Sequence, residues 1–414
     1  GAVTVDGTAA LGINATSTSG VANATANTVV VNILGTTITG GTVGINAKNT
    51  GKDVTDTVSV TLGAGTVVNG NNGDGVHAEG VNGVVSVDTV GTINSANGDG
   101  VDASTSGTGD VHVNGTAAIN VTAGAGDGIV VTSTDGNLFV GDTGGGYSGA
   151  IDTAGGNGIK AYITNTKSTG NIAVTTSATG TITGDADNGI YAKTEGLGDV
   201  AVVAVGNIGS APNGVTKDGI SAEINNKNNL NSLNVDVTAD IVADDDGVEA
   251  LTDSLVGDVV VNQLAGSDIK AGDIGIYALV NQKDSSAGDV LVTQAAGATI
   301  TSVGDGIRAV TIGEGDVNVD VAGAITATGA AANGIKAYNN YNTPIIGTDG
   351  NVTVIVKSTA NINSASGYGV LALNGNGTGT GGTEDRITIT TAGTVEGFLD
   401  GIKAAQTGPD GSVS

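Results

Sequence analysis

The stretch Gly304-Asp305-Gly306-Ile307-Arg308-Ala309 recurs along the whole chain. We call it the Asp-Gly-Ile motif, and its close copies and looser variants number fourteen. Their central glycines are about 30 residues apart, a spacing typical of solenoid and propeller repeats. In chain order these glycines are Gly12, Gly44, Gly75, Gly100, Gly128, Gly158, Gly189, Gly219, Gly247, Gly275, Gly306, Gly334, Gly369 and Gly401.

Each position of the motif has a physical interpretation. Asp or Asn before Gly is typical of turns, because these residues tolerate left-handed backbone angles. An aliphatic residue, a variable residue and usually Ala follow, which is the alternation of a strand with one buried face. The chemical scatter of the variable position predicts that it faces solvent. That position holds Asn14, Asn46, His77, Asp102, Val130, Lys160, Tyr191, Ser221, Glu249, Tyr277, Arg308, Lys336, Leu371 and Lys403.

Two further strand motifs alternate with the first. The Gly-Asp-Val motif reads Gly-Asp-Val-x-Val, as at residues 109–113 and 288–292, with a looser copy at 234–237. The short motif places Ile or Val between small or polar residues, as at 37–39 and 299–301. Three short strands per repeat and inward aliphatic residues predict an all-β, right-handed parallel β-helix of about 14 coils, each of about 30 residues. A β-propeller fits less well, because its blades have four strands and about 40 residues.

Composition supports this fold and excludes several classes of function. Only 2% of the residues are aromatic, so we expect a core of Val, Ile, Leu and Ala in one continuous domain over residues 1–414. A net charge of −27 argues against a nucleic-acid partner, which requires clustered Lys and Arg. The absence of cysteine excludes a disulfide scaffold. No apolar run is long enough for a transmembrane helix, so we predict no membrane insertion.

The sequence holds no recognisable catalytic motif, so we predict that the protein is not an enzyme and has no catalytic, cofactor-binding or metal-binding residue. The two histidines, His77 and His112, occupy outward positions of different motifs and are not expected to share a metal ion.

The turn acids leave one alternative open. Asp74, Asp99 and Asp127 should lie in successive coils, where stacked carboxylates repel one another unless they are screened or bridged, for example by Ca²⁺. Asn157 and Asn188 occupy equivalent positions, however, so the shared property is turn geometry. We therefore predict no cofactor, with Ca²⁺ as the alternative.

Outward positions of the second half suggest a mixed ladder. Glu249, Tyr277, Arg308 and Lys336 should lie side by side, and this combination could hold an acidic sugar. Parallel β-helices include pectate lyases and related polysaccharide enzymes. The simpler interpretation is a solvated ladder in which Arg308 covers Tyr277.

One corner carries the longest loops. Fourteen residues separate Ala337 from Val352, and we place Tyr338 in this loop; an Asn-rich segment at 225–231 occupies the same corner. Such a corner is either a binding surface or a place that tolerates insertions.

The two ends should lie at the same phase of the repeat. We assign both residues 1–5 and residues 411–414 to Gly-Asp-Val strands. Uncapped strand edges invite association, so we expect either a longer chain or copies that stack end to end.

The alternation of Asp-Gly-Ile-x-Ala and Gly-Asp-Val-x-Val units, with Thr-, Gly- and Asn-rich turns and no cysteine, resembles the passenger regions of Gram-negative autotransporters and related large β-helical adhesins. The resemblance spans almost the whole chain and is one of repeat style. It implies an extracellular location on the outer surface of a Gram-negative bacterium and an adhesive or structural role. It carries over no site residue.

Three functions follow as hypotheses. The first is a non-enzymatic surface adhesin or stalk that contacts host or cell-surface glycans or proteins, and binding by isolated monomers would favour it. The second is a subunit of an extracellular filament or sheath, which end-to-end polymers of the chain would favour. The third is a polysaccharide-binding or lyase-like protein, which cleavage dependent on Glu249 or Arg308 would favour.

Overall fold

The fold is a parallel β-solenoid with roughly 30-residue coils and three strands per turn, and the all-β prediction is confirmed. The computed structural model describes residues 4–7, 10–18, 27–210, 214–282, 287–339, 350–375, 386–406 and 412–414. Among these residues, no helix has the length and hydrophobicity needed to cross a membrane. The chain forms two compact units, Gly1–Lys217 and Asp218–Ser414. The single continuous domain and the handedness expected from the sequence stay predictions.

The first unit is built from short strands. Those that the structure describes are β1 (Thr4–Gly7), β2 (Ile13–Ser17), β3 (Thr28–Ile33), β4 (Thr37–Gly40), β5 (Ile45–Asn49), β6 (Thr57–Leu62), β7 (Val67–Gly70), β8 (Val76–Gly80), β9 (Val85–Thr89), β10 (Thr92–Ser95), β11 (Val101–Thr105), β12 (Val111–Gly115), β13 (Ala118–Val121), β14 (Ile129–Ser133), β15 (Leu138–Val140), β16 (Ile151–Thr153), β17 (Ile159–Ile163), β18 (Ile172–Thr175), β19 (Ile182–Gly184), β20 (Ile190–Thr194) and β21 (Val200–Ala204).

The second unit repeats the same organisation. Its described strands are β22 (Ile220–Ile224), β23 (Leu233–Val237), β24 (Ile241–Ala243), β25 (Val248–Thr252), β26 (Val259–Gln263), β27 (Asp268–Ala271), β28 (Ile276–Val280), β29 (Val290–Gln294), β30 (Thr299–Ser302), β31 (Ile307–Thr311), β32 (Val317–Val321), β33 (Ala324–Ala327), β34 (Ile335–Asn339), β35 (Val352–Val356), β36 (Asn361–Ser364), β37 (Val370–Asn374), β38 (Arg386–Thr391), β39 (Thr394–Gly397), β40 (Ile402–Gln406) and β41 (Ser412–Val413).

Strands of one motif pair in parallel with the equivalent strands one coil away, so each unit has three sheets. In the first unit, the Asp-Gly-Ile sheet has the order β2-β5-β8-β11-β14-β17-β20, the Gly-Asp-Val sheet β3-β6-β9-β12-β15-β18-β21 and the short sheet β1-β4-β7-β10-β13-β16-β19. In the second unit, the corresponding orders are β22-β25-β28-β31-β34-β37-β40, β23-β26-β29-β32-β35-β38-β41 and β24-β27-β30-β33-β36-β39.

Side chains alternate between the interior and the outer surface, as the motifs predict. On β11, Val101 and Ala103 are buried while Asp102 is partly exposed. The in-register stacking of identical motifs places aliphatic residues in continuous inward rows, each coil covering the previous one. The variable position is on the outer surface, although Val130 and Ser221 there are buried by their neighbours.

Two details of the motif assignment are wrong. The first strand, β1, pairs with β4 and so belongs to the short sheet, whereas β41 pairs with β38 in the Gly-Asp-Val sheet. The two ends therefore do not share a phase of the repeat; residues 1–3 and 411 lie outside the described residues. In β23, Leu233 rather than Val235 pairs with Val259, which shifts the expected register by two residues and keeps the same face buried.

The core also contains polar and aromatic side chains that composition did not predict. Tyr147 is fully buried and its hydroxyl donates a hydrogen bond to the carbonyl oxygen of Ala117 at 2.8 Å. Gln263 and Gln294 are buried too, and Nε2 of Gln294 lies 3.0 Å from Oε1 of Gln263. Such groups are accommodated because the interior offers backbone carbonyls and stacked amides as hydrogen-bond partners.

Candidate functional site

The ladder predicted in the second half of the chain is confirmed. Glu249, Tyr277, Arg308 and Lys336 are successive partners on β25, β28, β31 and β34 of the Asp-Gly-Ile sheet. Because paired strands lie about 4.8 Å apart, neighbouring side chains of this row are in contact distance. The row therefore forms one continuous strip on the outer face of the sheet.

Two cations of this strip, Arg308 and Lys336, lie over aromatic rings: Tyr277 of the strip and Tyr338 of the adjacent row. The guanidinium carbon of Arg308 lies 5.7 Å from the ring centroid of Tyr277, and Nζ of Lys336 lies 5.2 Å from that of Tyr338. Both distances suit cation–π attraction. We call these four residues the basic–aromatic patch.

Arg308 is fixed in place by a buried carboxylate. Its Nε donates to Oδ2 of Asp305 at 2.8 Å, and the Asp305 side chain is 3% exposed. Oδ1 of the same carboxylate accepts the backbone N–H of Asn333 at 2.8 Å, so Asp305 cannot rotate freely. Within the described part of the chain, the terminal nitrogens of Arg308 have no hydrogen-bond partner. Its planar fork is therefore oriented and available to an outside acceptor.

A second outward row of the same sheet, which shares Tyr338 with the patch, is mostly apolar and was not predicted from the sequence. Leu251, Leu279, Val310, Tyr338 and Leu373 are partners on neighbouring strands. Next to the first two of these leucines lies a groove of about 170 Å³. The row could have been recognised from the residue four positions after each motif glycine. That residue lies on the same outer face of the strand as the variable position, which is two positions after the glycine.

The structure tests only part of the prediction about the corner loops. Tyr338 is part of β34 rather than of a loop, because the strand continues for two residues beyond Ala337. Residues 340–349, which make up most of the segment between Ala337 and Val352, lie outside the described residues, as do residues 376–385.

The Asn-rich segment at 225–231 is an internally bonded turn. Oδ1 of Asn226 accepts the N–H of Asn228 at 3.0 Å, and Oδ1 of Asn229 accepts the N–H of Asn231 at 2.6 Å. Asn229 is fully buried, and its carbonyl oxygen accepts a hydrogen bond from the Ser254 hydroxyl at 2.7 Å. This asparagine enrichment is explained by local hydrogen bonding.

The turn acids stack as predicted and are bridged by the backbone. Oδ1 of Asp74 accepts the N–H of Asp99 at 2.9 Å, and Oδ1 of Asp99 accepts that of Asp127 at 2.7 Å. Oδ1 of Asp127 in turn accepts the N–H of Asn157. Each carboxylate therefore ties one coil to the next, a role that the amide of Asn performs equally well. These bonds account for the Asp/Asn exchange without a cation.

Burial raises the pKa of some carboxyls at this turn position. Asp246 is 7% exposed, and burial together with the nearby Asp218, Asp245 and Asp273 raises its pKa to about 7. Oδ1 of Asp246 accepts the N–H of Ile274 at 2.8 Å, which partly offsets this effect. The carboxyl is therefore half-protonated near neutral pH.

We predict that Asp246→Asn stabilises the protein at pH 8 by about 2 kcal/mol, roughly half of the ~4 kcal/mol that a shift of about three pKa units represents at about 1.36 kcal/mol per unit. The folded-state pKa of Asp246, about 7, lies above the ordinary 3.8. The contribution of Asp246 to the free energy of unfolding is therefore most favourable below about pH 4 and is lost as the pH rises through 7. The equivalent Asn333 donates its Nδ2 to Asp305 at 2.9 Å, which shows that the turn accepts an amide.

The measurement is denaturant unfolding at pH 4 and pH 8. The gain should be near zero at pH 4, where Asp246 is protonated in the folded protein and the pH is close to the ordinary pKa of the unfolded chain. Asp187→Asn is the control, because the Asp187 side chain is 41% exposed and pairs with the surface residue Lys217. An equal gain for both variants, or none at pH 8 for Asp246→Asn, would contradict the prediction.

The two histidines lie on different sheets of the first unit, as predicted, yet neither is isolated. Nδ1 of His112 on β12 is 2.8 Å from Oδ2 of Asp142, and its ring stacks on Phe139. His77 on β8 faces two carboxylates. Hydrogen bonds to Asp102 and then Asp74 raise the pKa of His77 to about 10.

Comparison of the chain with protein-family models, with curated proteins and with solved structures gave no match. The resemblance to autotransporter passengers stays a prediction that rests on repeat style.

Proposed function

We propose that the protein is a non-enzymatic extracellular β-solenoid that acts as a surface adhesin or stalk and binds acidic glycans through the basic–aromatic patch. The observation that carries the proposal is the position of Arg308 and Lys336 beside Tyr277 and Tyr338, in a chain with a net charge of −27 and two arginines. Against that acidic background, a site with paired cations and aromatic rings is suited to an anionic ligand.

The chemistry of the patch fits a sugar carboxylate. The terminal nitrogens of Arg308 can donate two parallel hydrogen bonds to a carboxylate, and Lys336 adds a second positive charge one strand away. The rings of Tyr277 and Tyr338, with the side chain of Leu279, offer apolar surface to the faces of sugar rings. Because Arg308 and Lys336 lie on adjacent strands, the patch can contact successive charges of a polymer.

The separation of the groups favours binding over cleavage. Glu249 is the carboxylate of this row, and burial raises its pKa. It lies two strands from Arg308, a distance of about 9.6 Å between equivalent backbone positions. A general base and the cation that stabilises a developing anion would have to act on adjacent atoms of the substrate.

The test is binding of the purified chain to polygalacturonate and to neutral dextran. We expect binding to the acidic polymer only, no change in the polymer's length, and at least a tenfold loss of affinity in the double variant Arg308→Gln/Lys336→Gln. One charge-assisted hydrogen bond, worth about 1.5–3 kcal/mol, accounts for such a loss.

The matched control is Lys270→Gln/Lys357→Gln, which removes the same charge elsewhere in the second unit. Both lysines are 54% exposed and pair with Asp268 and Asp320. Their loss should change the affinity less than twofold. Equal effects of the two double variants would assign binding to overall charge and overturn the role of the patch, and shortening of the polymer would favour a lyase.

A further inference from the structure

The first unit holds a cluster of three potential metal ligands, which we call the His77 cluster: Asp74, His77 and Asp102. His77 and Asp102 are direct partners in the outward row of β8 and β11, and Asp74 lies in the turn that precedes β8. Nδ1 of His77 is 2.8 Å from Oδ2 of Asp102 and 3.5 Å from Oδ2 of Asp74. One ligand atom of each residue lies within 4.8 Å of those of the other two.

Both the backbone and neighbouring side chains orient these groups. Oδ1 of Asp74 accepts the N–H of Asp99 at 2.9 Å, so its Oδ2 is directed towards the imidazole. On the far side of the ring, Nε2 of His77 is 3.6 Å from Oε2 of Glu79, and that carboxylate is held by Lys48 at 2.6 Å. At 3.6 Å this carboxylate acts on the ring through its charge, from the side where a carboxylate commonly stands behind a metal-binding histidine.

We propose that the His77 cluster binds a divalent transition-metal ion of the zinc type through Nδ1 of His77 and one oxygen each of Asp74 and Asp102. Zinc accepts one histidine with carboxylates at about 2.0–2.2 Å, which places tetrahedral ligand atoms about 3.4 Å apart. The distances of 2.8 and 3.5 Å lie on either side of this value, so small side-chain rotations suffice.

The fourth coordination position would face solvent. The side chains of His77, Asp74 and Asp102 are 24%, 21% and 24% exposed, so an ion can reach the cluster and a water molecule can complete its shell. In the metal-free protein, Nδ1 of His77 contacts the two carboxylates directly, and the ion would lie between these three groups. This proposal concerns the first unit and is independent of the glycan patch in the second.

The chain supplies a matched comparison. His112 also has a carboxylate at 2.8 Å, that of Asp142, but its second neighbour is the stacked ring of Phe139 rather than another ligand. One imidazole and one carboxylate hold zinc much more weakly than three converging ligands. His112 therefore reports nonspecific binding by an exposed histidine–aspartate pair.

The experiment titrates metal-stripped protein with Zn²⁺ by calorimetry, and with Co²⁺ by absorbance, at pH 8. We expect one equivalent to bind, at least a tenfold loss of affinity in His77→Gln and in Asp102→Asn, and less than a twofold change in His112→Gln. Circular dichroism of each variant confirms that the fold is retained.

Ring resonances give a readout that does not require a variant, because the chain has two histidines. Bound Co²⁺ should shift and broaden the signals of His77 and leave those of His112 in place. Absence of Zn²⁺ binding would mean that the cluster is an ion pair only and would overturn the proposal. Equal losses in His77→Gln and His112→Gln, or broadening of both rings alike, would also overturn it.

Discussion

Replacement of Gly275 by Ala should destabilise the second unit by more than about 3 kcal/mol. A Cβ at this position would lie 2.3 Å from Cγ2 of Ile300 and 2.4 Å from the carbonyl oxygen of Gly306 in the next coil. Overpacking of a filled core typically costs about 1–3 kcal/mol, and here one of the two contacted groups is backbone that is held in the strand ladder. The coils on either side would have to move apart.

Hydrogen exchange and denaturant unfolding measure this effect, because stability in a solenoid is a sum over neighbouring repeats. Protection should fall first in the peptides that contain β28 and β31. The control is Gly266→Ala. Gly266 has a φ of +89° with no atom near the added Cβ, so only backbone strain of about 1–2 kcal/mol is expected.

A double-mutant cycle with Ile300→Ala tests the proposed clash directly. Removing Cγ2 of Ile300 relieves one of the two contacts, so Gly275→Ala should cost less in that background than in the natural chain. Strictly additive costs would show that the Ile300 contact contributes nothing, and a cost of Gly275→Ala no larger than that of Gly266→Ala would contradict the close-approach argument.

The strands were predictable because every coil repeats the same alternation. In Ile307-Arg308-Ala309, for example, the aliphatic residue and the Ala point inward and the variable residue points outward. The same face of the strand is therefore buried in every coil. Repetition turns this weak local signal into a strong one, since an error in one coil would conflict with its neighbours. The sheet of β1 was predicted incorrectly because its Val-Thr-Val alternation resembles the Gly-Asp-Val motif, although its place just before β2 is that of a short strand.

The reason for the motif glycine was predicted incorrectly. Left-handed backbone was expected after Asp or Asn, yet no motif glycine of the described chain has a positive φ. Glycine is required at Gly275 because the next coil and an inward Ile occupy the space of a Cβ. A single sequence cannot distinguish these two causes, since both appear as a recurrent glycine.

The candidate sites were partly predictable for the same reason. The order of variable residues placed Arg308 after Tyr277, and it also placed Asp102 directly after His77. The first pair was recognised and the second was not, because Asp74, which completes the His77 cluster, lies in the turn and not in the row. Contacts between a turn and a row depend on side-chain rotamers, which repeat spacing does not fix.

Tyr147→Ala should destabilise the first unit by about 4 kcal/mol, whereas Tyr147→Phe should cost about 1–2 kcal/mol. Removal of a buried aromatic ring typically costs about 3–5 kcal/mol through lost contacts and a residual cavity. Loss of the hydroxyl alone leaves the ring in place but removes the hydrogen bond to the carbonyl oxygen of Ala117. The two variants therefore separate the packing of the ring from its hydrogen bond.

Tyr147 was unpredictable because it lies between strands, in a segment that departs from the repeat. Gly144, Gly145 and Gly146 before it have φ values of +69°, +88° and +108°, a run of left-handed backbone that returns the chain to the interior. The N–H of Tyr147 then donates to the carbonyl oxygen of Thr175 at 2.9 Å. The ring thus fills a corner that the aliphatic rows leave open.

Tyr162 provides the control, since its ring lies on the outer face of β17 and is half-buried. Tyr162→Ala should cost less than about 1 kcal/mol in denaturant unfolding, because its ring is on the outer surface and its hydroxyl makes a long hydrogen bond of 3.4 Å to Glu195. Similar costs for the two alanine variants would mean that the Tyr147 corner collapses to fill the cavity. A cost of Tyr147→Phe equal to that of Tyr147→Ala would instead place the whole effect in the hydroxyl, and would make this buried hydrogen bond, not the ring, the group that holds the corner closed.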